Sequence, residues 1–483
     1  MRKQSLAKNF MFQFAYQAVI LVVPLIMSPY LTRTLMPDAL GTYTYVNSIA
    51  YYFIIAANLG ISVHGRRLIS RVSSDESLLR KSFWSLFYAH VGISIAVSGV
   101  YFVAIQLIHP ENQTIYVISG IYVLSALFDI TWLFYGLEYF SSVVIKNAVV
   151  KVVECILIFC IVKTPNDLWK YTLIVALGGC VGQMVMLPQA IKIVPPIKIS
   201  AADLKAHLKP LLIFSVSVIA TALYTVFDKT LLGILTTKAD VAYYEYSHRI
   251  VAIPQTIIGV IGTVMMPRAC RLAMEENTED QRKYMTYSFY LTAFIGMAAL
   301  FGICAVSNEL AVVYYGESFE ACGNIMKALS PLAYIVGTGS VLRSQCLIPN
   351  GMDKQFNTCI VYNAIINLVL SLIFIKTIGV YGAVLGTLIA EVFGLAYQTV
   401  LCKKFICWRT VAEPFISFSI IGVAMLCIVK LVASFMPMSV SSLVIQVVVG
   451  ACAYFALTII YFFVFKRATM KTFLKTLATN KGK

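Results

Sequence analysis

The sequence predicts an all-α polytopic membrane protein of about 14 transmembrane helices, arranged as two pseudo-symmetric six-helix bundles plus a C-terminal helix pair. Three observations lead there. Of 483 residues, 59% are apolar and only 12% charged, where a soluble chain carries about 25% charged residues. The apolar residues run continuously over spanning lengths, which excludes the short alternating strands of a membrane barrel. The Lys and Arg residues gather on alternate connections. A soluble core stops growing near 250–300 residues, so a soluble chain of this length needs two or three charged skins. The 38 Lys/Arg and 22 Asp/Glu present are too few to cover them.

The elements follow in order. The first apolar stretch, 10–31, lies behind Arg2, Lys3 and Lys8. It is too long, and too poorly followed by small residues, to be a cleaved signal peptide. Stretches 41–60, 82–108, 114–137, 142–163 and 170–194 complete a first bundle over 1–194. A second bundle, 195–402, takes 208–236, 249–267, 285–306, 325–349, 355–377 and 379–402. The remainder, 403–483, holds a hairpin at 414–436 and 440–466 and a basic tail.

The net charge of +16 is topological. The N-terminus, the even-numbered connections and the C-terminus hold 27 Lys/Arg, the odd-numbered connections 7, and the helices the last four. That asymmetry is the positive-inside pattern and places both termini in the cytoplasm. A nucleic-acid stripe would need the charge on one folded surface, so no nucleic-acid partner is expected. Enzyme readings lack their residues. There is no Gly-x4-Gly-Lys-Ser/Thr loop for ATP, and Gly337-Thr338-Gly339 lacks the third glycine of a dinucleotide site. The five histidines have no metal-ligand spacing. The 12 cysteines include no C-x2-C pair, and only Cys322 falls in an outer loop. No cofactor or metal is expected, and no outer loop is large enough for a glycosyl-transfer platform. The chain reads as a transporter.

An internal repeat organises it. Leu31-Thr32-Arg33-Thr34-Leu35 closes helix one and Phe227-Asp228-Lys229-Thr230-Leu231 closes helix seven, 196 residues on. At an offset of 200, Tyr43 faces Tyr243, Asn47 faces Ser247 and Arg71 faces Arg271. Arg80-Lys81 matches Arg282-Lys283, and Asn147-Ala148-Val149-Val150-Lys151 echoes Asn363-Ala364-Ile365-Ile366-Asn367. Helices six and twelve each carry a Gly-x3-Gly pair, Gly178/Gly182 and Gly382/Gly386, read as close helix packing. Six is even, so the halves enter from the same side and their axis lies along the membrane normal. Two such halves leave a cleft that rocking opens to each side in turn, without ATP.

Ionisable groups in the membrane core cost roughly 2.5–3.5 kcal/mol each on insertion scales, so they line a cavity, pair or snorkel. Lys151 lies near the midplane with Glu154 one turn away; an internal pair and a substrate cation are both open readings. Arg33 and Lys229 occupy equivalent positions in the two halves, where snorkelling competes with a site, and Asp228 is placed to neutralise Lys229. Arg343 divides between cavity and interface. Asp129, Glu154, Asp228 and Glu391 are the carboxylates available for ion coupling, with Asp129, inside helix four, the first choice. Pro24 and Pro29 loosen helix one. The tyrosines at 43–52 and 243–246 are read as interfacial anchors.

The run KNFMFQFAYQAVILVVPLIMSPYLTRTLMPDALGTYTYVNSI resembles bacterial polysaccharide-transporter flippases. These are the O-antigen and capsule-unit group of the multidrug/oligosaccharidyl-lipid/polysaccharide superfamily. DITWLFYGLEYF with KNAVVK, FDKTLLGILTTKADVAYYEYSHRI, LIPNGMDK and GVYGAVLGTLIAE carry the same resemblance. One departure is Met36 before Pro37, where the pattern calls for glycine. The resemblance implies a MATE-like fold in a bacterial inner membrane. It implies a substrate, an undecaprenyl-diphosphate-linked oligosaccharide, moved from the inner to the outer leaflet for O-antigen, capsule or exopolysaccharide synthesis. It makes Arg33, Lys151, Lys229 and Arg343 cavity cations, and a polysaccharide polymerase with its chain-length machinery plausible partners. The alternatives are a drug/cation antiporter of the same superfamily and a membrane polymerase or ligase of lipid-linked glycans.

Overall fold

In the computed structural model, which describes residues 6–406 and 408–465, the chain is helical and has no strands among the described residues. The basic tail and the cations of the extreme N-terminus lie outside the described residues. Helices α1 (Leu6–Asn58), α2 (Ile61–Val72), α3 (Glu76–Ile108), α4 (Gln113–Leu124), α5 (Thr131–Gly136), α6 (Phe140–Ile161), α7 (Leu168–Met184) and α8 (Leu187–Ile193) cover the predicted first bundle. Then come α9 (Ala201–Leu235), α10 (Lys238–Met274), α11 (Thr278–Leu310), α12 (Cys322–Leu329), α13 (Leu332–Leu342), α14 (Asp353–Ile378) and α15 (Val380–Leu401). The closing pair is α16 (Trp408–Ala433) and α17 (Val440–Phe465).

Ten described stretches are long and apolar enough to cross a membrane, and the pair Glu317–Leu329 and Leu332–Leu347, bent by 44°, makes eleven. Three further considerations bear on the predicted fourteen. At 1.5 Å per residue the 53 residues of α1 extend about 80 Å, more than twice a ~30 Å hydrocarbon core. Met36 (φ 66, ψ 166) divides them into two helices. The 22 residues of α6 are long enough to span but carry Lys146, Lys151 and Glu154. The 35 residues of α9 hold the seventh predicted stretch. These helices are consistent with fourteen crossings.

The chain forms two compact units, 1–243 with 368–383 and 244–367 with 384–483. In the first, α9 packs on α1, α2 and α3. One core of this unit gathers Phe83, Trp84, Trp132, Leu133 and Phe134, and the Trp84 indole donates to the carbonyls of Val194 and Pro195 at 3.1 and 3.0 Å. A second surrounds Tyr101, whose hydroxyl donates to the Tyr116 carbonyl at 2.7 Å. Three elements meet at a histidine pair. Ser85 Oγ donates to the Ser82 carbonyl, so it accepts from His207 Nε2 at 2.8 Å. That leaves His207 Nδ1 to accept from His64 Nε2 at 3.2 Å, joining α2, α3 and α9.

The repeat is visible where its two helix breaks fall. The first half breaks at Met36, and the second between Leu235 and Lys238, at the offset of 200 read from the sequence. Gly41 lies against the start of α10 so closely that a Cβ there would overlap the Lys238 carbonyl. The Lys238 ammonium caps Gly233 O at 2.6 Å and sits 3.6 Å over the Tyr45 ring. Tyr52 and Thr230 hydroxyls lie 3.0 Å apart.

In the second unit α11 packs on α13 and α16, and α16 on α17. Their core centres on fully buried Phe418 with Tyr454 and Tyr334, and the Tyr454 hydroxyl donates to Phe294 O at 2.8 Å. Two expectations are corrected and one is met. Tyr244 and Tyr246 are buried, with Tyr246 packed edge-on to Tyr315 and Phe319, so they are packing groups and not interfacial anchors. Cys322 is fully buried at the start of α12, not exposed in a loop. Gly382, in the first turn of α15, lies against the backbone of Phe374 and Ile375 in α14, a close helix approach as its motif predicts.

Candidate functional site

A cavity of about 290 Å³ opens inside the first unit among α1, α4, α6 and α7. Its charged groups are Asp129, Lys146, Lys151 and Glu154, and Asn58, Tyr122, Asn147 and Gln183 add uncharged hydrogen-bonding groups. α6 supplies half of them, with Asn147, Lys151 and Glu154 recurring at i, i+4 and i+7 on one helical face. Lys151 is eleven residues beyond Phe140, about 16 Å along the axis, at the middle of the helix as the sequence predicts.

The Lys151 ammonium lies 2.7 Å from Glu154 Oε2. The pair is asymmetric: the lysine side chain is 45% exposed and the glutamate 6%. The carboxylate is tucked against Gly178, where a Cβ would come within 2.2 Å of Oε1. One turn along α7, Gly182 meets Val150. The first Gly-x3-Gly pair therefore admits both the α6–α7 contact and the acid within it.

Asp129 is not inside a helix. It occupies a break between a 3-10 turn, Ser125–Phe128, and α5. There its Oδ1 accepts from Thr131 N at 3.0 Å and Thr131 Oγ1 at 2.6 Å, and its carbonyl accepts from the Trp132 indole. The acid thus braces the start of α5 at the cavity wall and satisfies one of the otherwise unpaired amides there.

Lys146 is the group the sequence reading misses. Counting cations by side assigns it to the connection before helix five, whereas α6 already begins at Phe140. Its Nζ donates to Gln183 Oε1 at 3.2 Å. The signal was available, since Lys146 stands one turn from Val150 on the wall that also holds Lys151. With two lysines and two carboxylates the cavity carries no net formal charge.

The remaining predicted residues lie elsewhere. Arg33 is exposed near the end of the first segment of α1, and Lys229 is half-buried near the end of α9. Asp228 is buried and accepts from the Ser371 hydroxyl at 3.0 Å. In the second unit, Arg343 is exposed at the end of α13, 3.4 Å from Ser340 Oγ and over the Phe356 ring. Glu391 lies on α15, one turn beyond Thr387. Thr387 itself receives the Asn367 amide at 3.2 Å. A groove of about 380 Å³ in this unit, walled by Tyr290, Phe294, Phe418, Phe455 and Phe462, suits hydrocarbon and offers no charged group. No group of three metal-ligating side chains occurs among the described residues.

The described residues thus form a multi-helix fold of membrane-spanning character with a polar, charge-balanced cavity inside its first unit. Its sequence places it further. The family of polysaccharide biosynthesis proteins matches residues 6–273, and the chain belongs to that family. It is 25% identical to a Shigella dysenteriae protein described as an O-antigen transporter, over 80% of this chain and 97% of that one. An Escherichia coli K12 protein with the same description is 19% identical over 76% of this chain and 89% of its own. The fold is similar to that of the lipid II flippase MurJ in an inward closed conformation (TM-score 0.78, 14% identity, 94% of this chain and 99% of that one). It is also similar to an inward-facing multidrug MATE transporter (TM-score 0.60, 14% identity, 81% and 95%). The chain is thus a polysaccharide biosynthesis family protein with the helices of a multi-pass membrane fold.

Proposed function

We propose that this protein flips an undecaprenyl-diphosphate-linked oligosaccharide from the inner to the outer leaflet of a bacterial cytoplasmic membrane, by alternating access of its two repeated halves. The observation that carries this reading is the α6 wall of the cavity. Lys146 and Lys151 offer two ammonium groups to a diphosphate, Lys146 bonded to a neutral amide and Lys151 nearly half exposed beside Glu154. Asn58, Asn147, Gln183 and Tyr122 beside them are the side chains that bind sugar hydroxyls or glycosidic oxygens. Relatives described as an O-antigen transporter and, in Haloferax volcanii, as a glycan-biosynthesis flippase support the same cargo. Arg33, Lys229 and Arg343 are proposed as further contacts along the path, and Asp228 and Glu391 as sites of ion coupling. Polymerase and chain-length proteins would then act on the delivered units.

The test is complementation of a flippase-null strain. The wild type restores surface polysaccharide, while Lys146→Ala and the double variant Arg33→Ala/Lys151→Ala, expressed at equal level, lose most of it and accumulate the lipid-linked unit. Full surface polysaccharide from the double variant would sink the proposal. The carboxylates in the cavity also suit a cationic drug, which is the antiporter reading. Drug resistance conferred without any change in lipid-linked glycan would favour that reading.

A further inference from the structure

We propose that Glu154 is the release group of the site: it and the anionic headgroup of the cargo compete for Lys151. This rests on the substrate reading above and assigns that reading its off-switch. The two lysines of the cavity are held differently. Lys146 is bonded to a neutral amide, Gln183 Oε1 at 3.2 Å, and keeps its charge available. Lys151 is bonded to a carboxylate at 2.7 Å, yet nearly half of its side chain faces open space while Glu154 is withdrawn. An incoming phosphate therefore reaches the lysine and not the acid. The lysine's flexible stem lets the ammonium turn from one anion to the other.

The other carboxylate is held differently, Asp129 Oδ1 accepting from the amide and hydroxyl of Thr131. Glu154 is seated against Gly178, where a Cβ would come within 2.2 Å of its Oε1. Empty, the cavity is electrically balanced. Occupied, it holds an anion through two lysines. Glu154 then waits beside Lys151 to take the ammonium back, and binding stays weak enough to end, as a transport site requires.

Binding of undecaprenyl diphosphate to the full chain in nanodiscs, and its flipping in proteoliposomes, test this. Glu154→Gln is expected to bind about tenfold more tightly, the scale of one charge-assisted hydrogen bond, and to flip more slowly. Gly178→Ala, which pushes the acid off its seat, is expected to move both measurements the same way and serves if Glu154→Gln does not fold. Lys151→Gln weakens binding, and Glu154→Gln has no further effect in that background. Unchanged or weaker binding by Glu154→Gln, or an effect that survives without Lys151, overturns the inference and leaves the substrate reading standing. A wild-type chain that does not bind the lipid overturns both.

Discussion

Met36 shows how one residue carries a local cost. Its φ of 66° with ψ of 166° lies in a region that only glycine enters freely, costing an L-residue about 1–3 kcal/mol. The resemblance calls for glycine at this position, and the backbone gives the reason. Met36→Gly is expected to raise the apparent melting temperature in detergent and the β-branched Met36→Val to lower it, read by scanning fluorimetry. The cavity residues were partly legible for a similar reason. Lys151 and Glu154 announce themselves as charges one turn apart in an apolar run. Lys146 does not, because a cation near a helix start looks the same in sequence as one in the preceding loop. Asp129 misled in the opposite sense, since nothing in Phe128-Asp129-Ile130-Thr131 distinguishes a mid-helix acid from one that breaks the helix and braces the next.

Among elements, α2, α3 and α9 form the junction most open to measurement. Beside the His64–His207–Ser85 chain, Lys81 of α3 lies 2.9 Å from Asp203, in the first turn of α9 ahead of its apolar stretch. The Lys81 ammonium, and then the Ser200 hydroxyl, hold the Asp203 carboxyl below its usual range. A depressed carboxylate contributes stability above its unfolded value, near 3.8, and loses it as pH falls through the folded one. Asp203→Asn should therefore lower the melting temperature at pH 7, and the difference should shrink as pH falls through the folded value. The spanning helices themselves were legible because a long apolar run has few other uses. Their interruptions were harder to place: Pro331 stands at the 44° bend and Pro37 directly follows the break at Met36, but Pro210, Pro254, Pro267 and Pro414 end no helix.

For the whole molecule, the two-sided charge distribution makes a prediction that the helices alone do not. With Lys404 on a basic connection and Lys163 on a sparse one, single cysteines at these exposed positions should label from opposite faces. Lys163→Cys is expected to react with a membrane-impermeant maleimide in intact cells, and Lys404→Cys only after lysis. The repeat was legible as matched residues, but not which of its matches would become equivalent in space. Gly178 and Gly382 share a motif, yet one seats an acid and the other meets the backbone of a neighbouring helix. That difference bears on inheritance. A lineage cannot exchange Gly178 for a larger residue while it keeps the acid at 154, so the two positions must drift as a couple. In a library randomised at both, function should survive in glycine–glutamate pairs and vanish in most single departures.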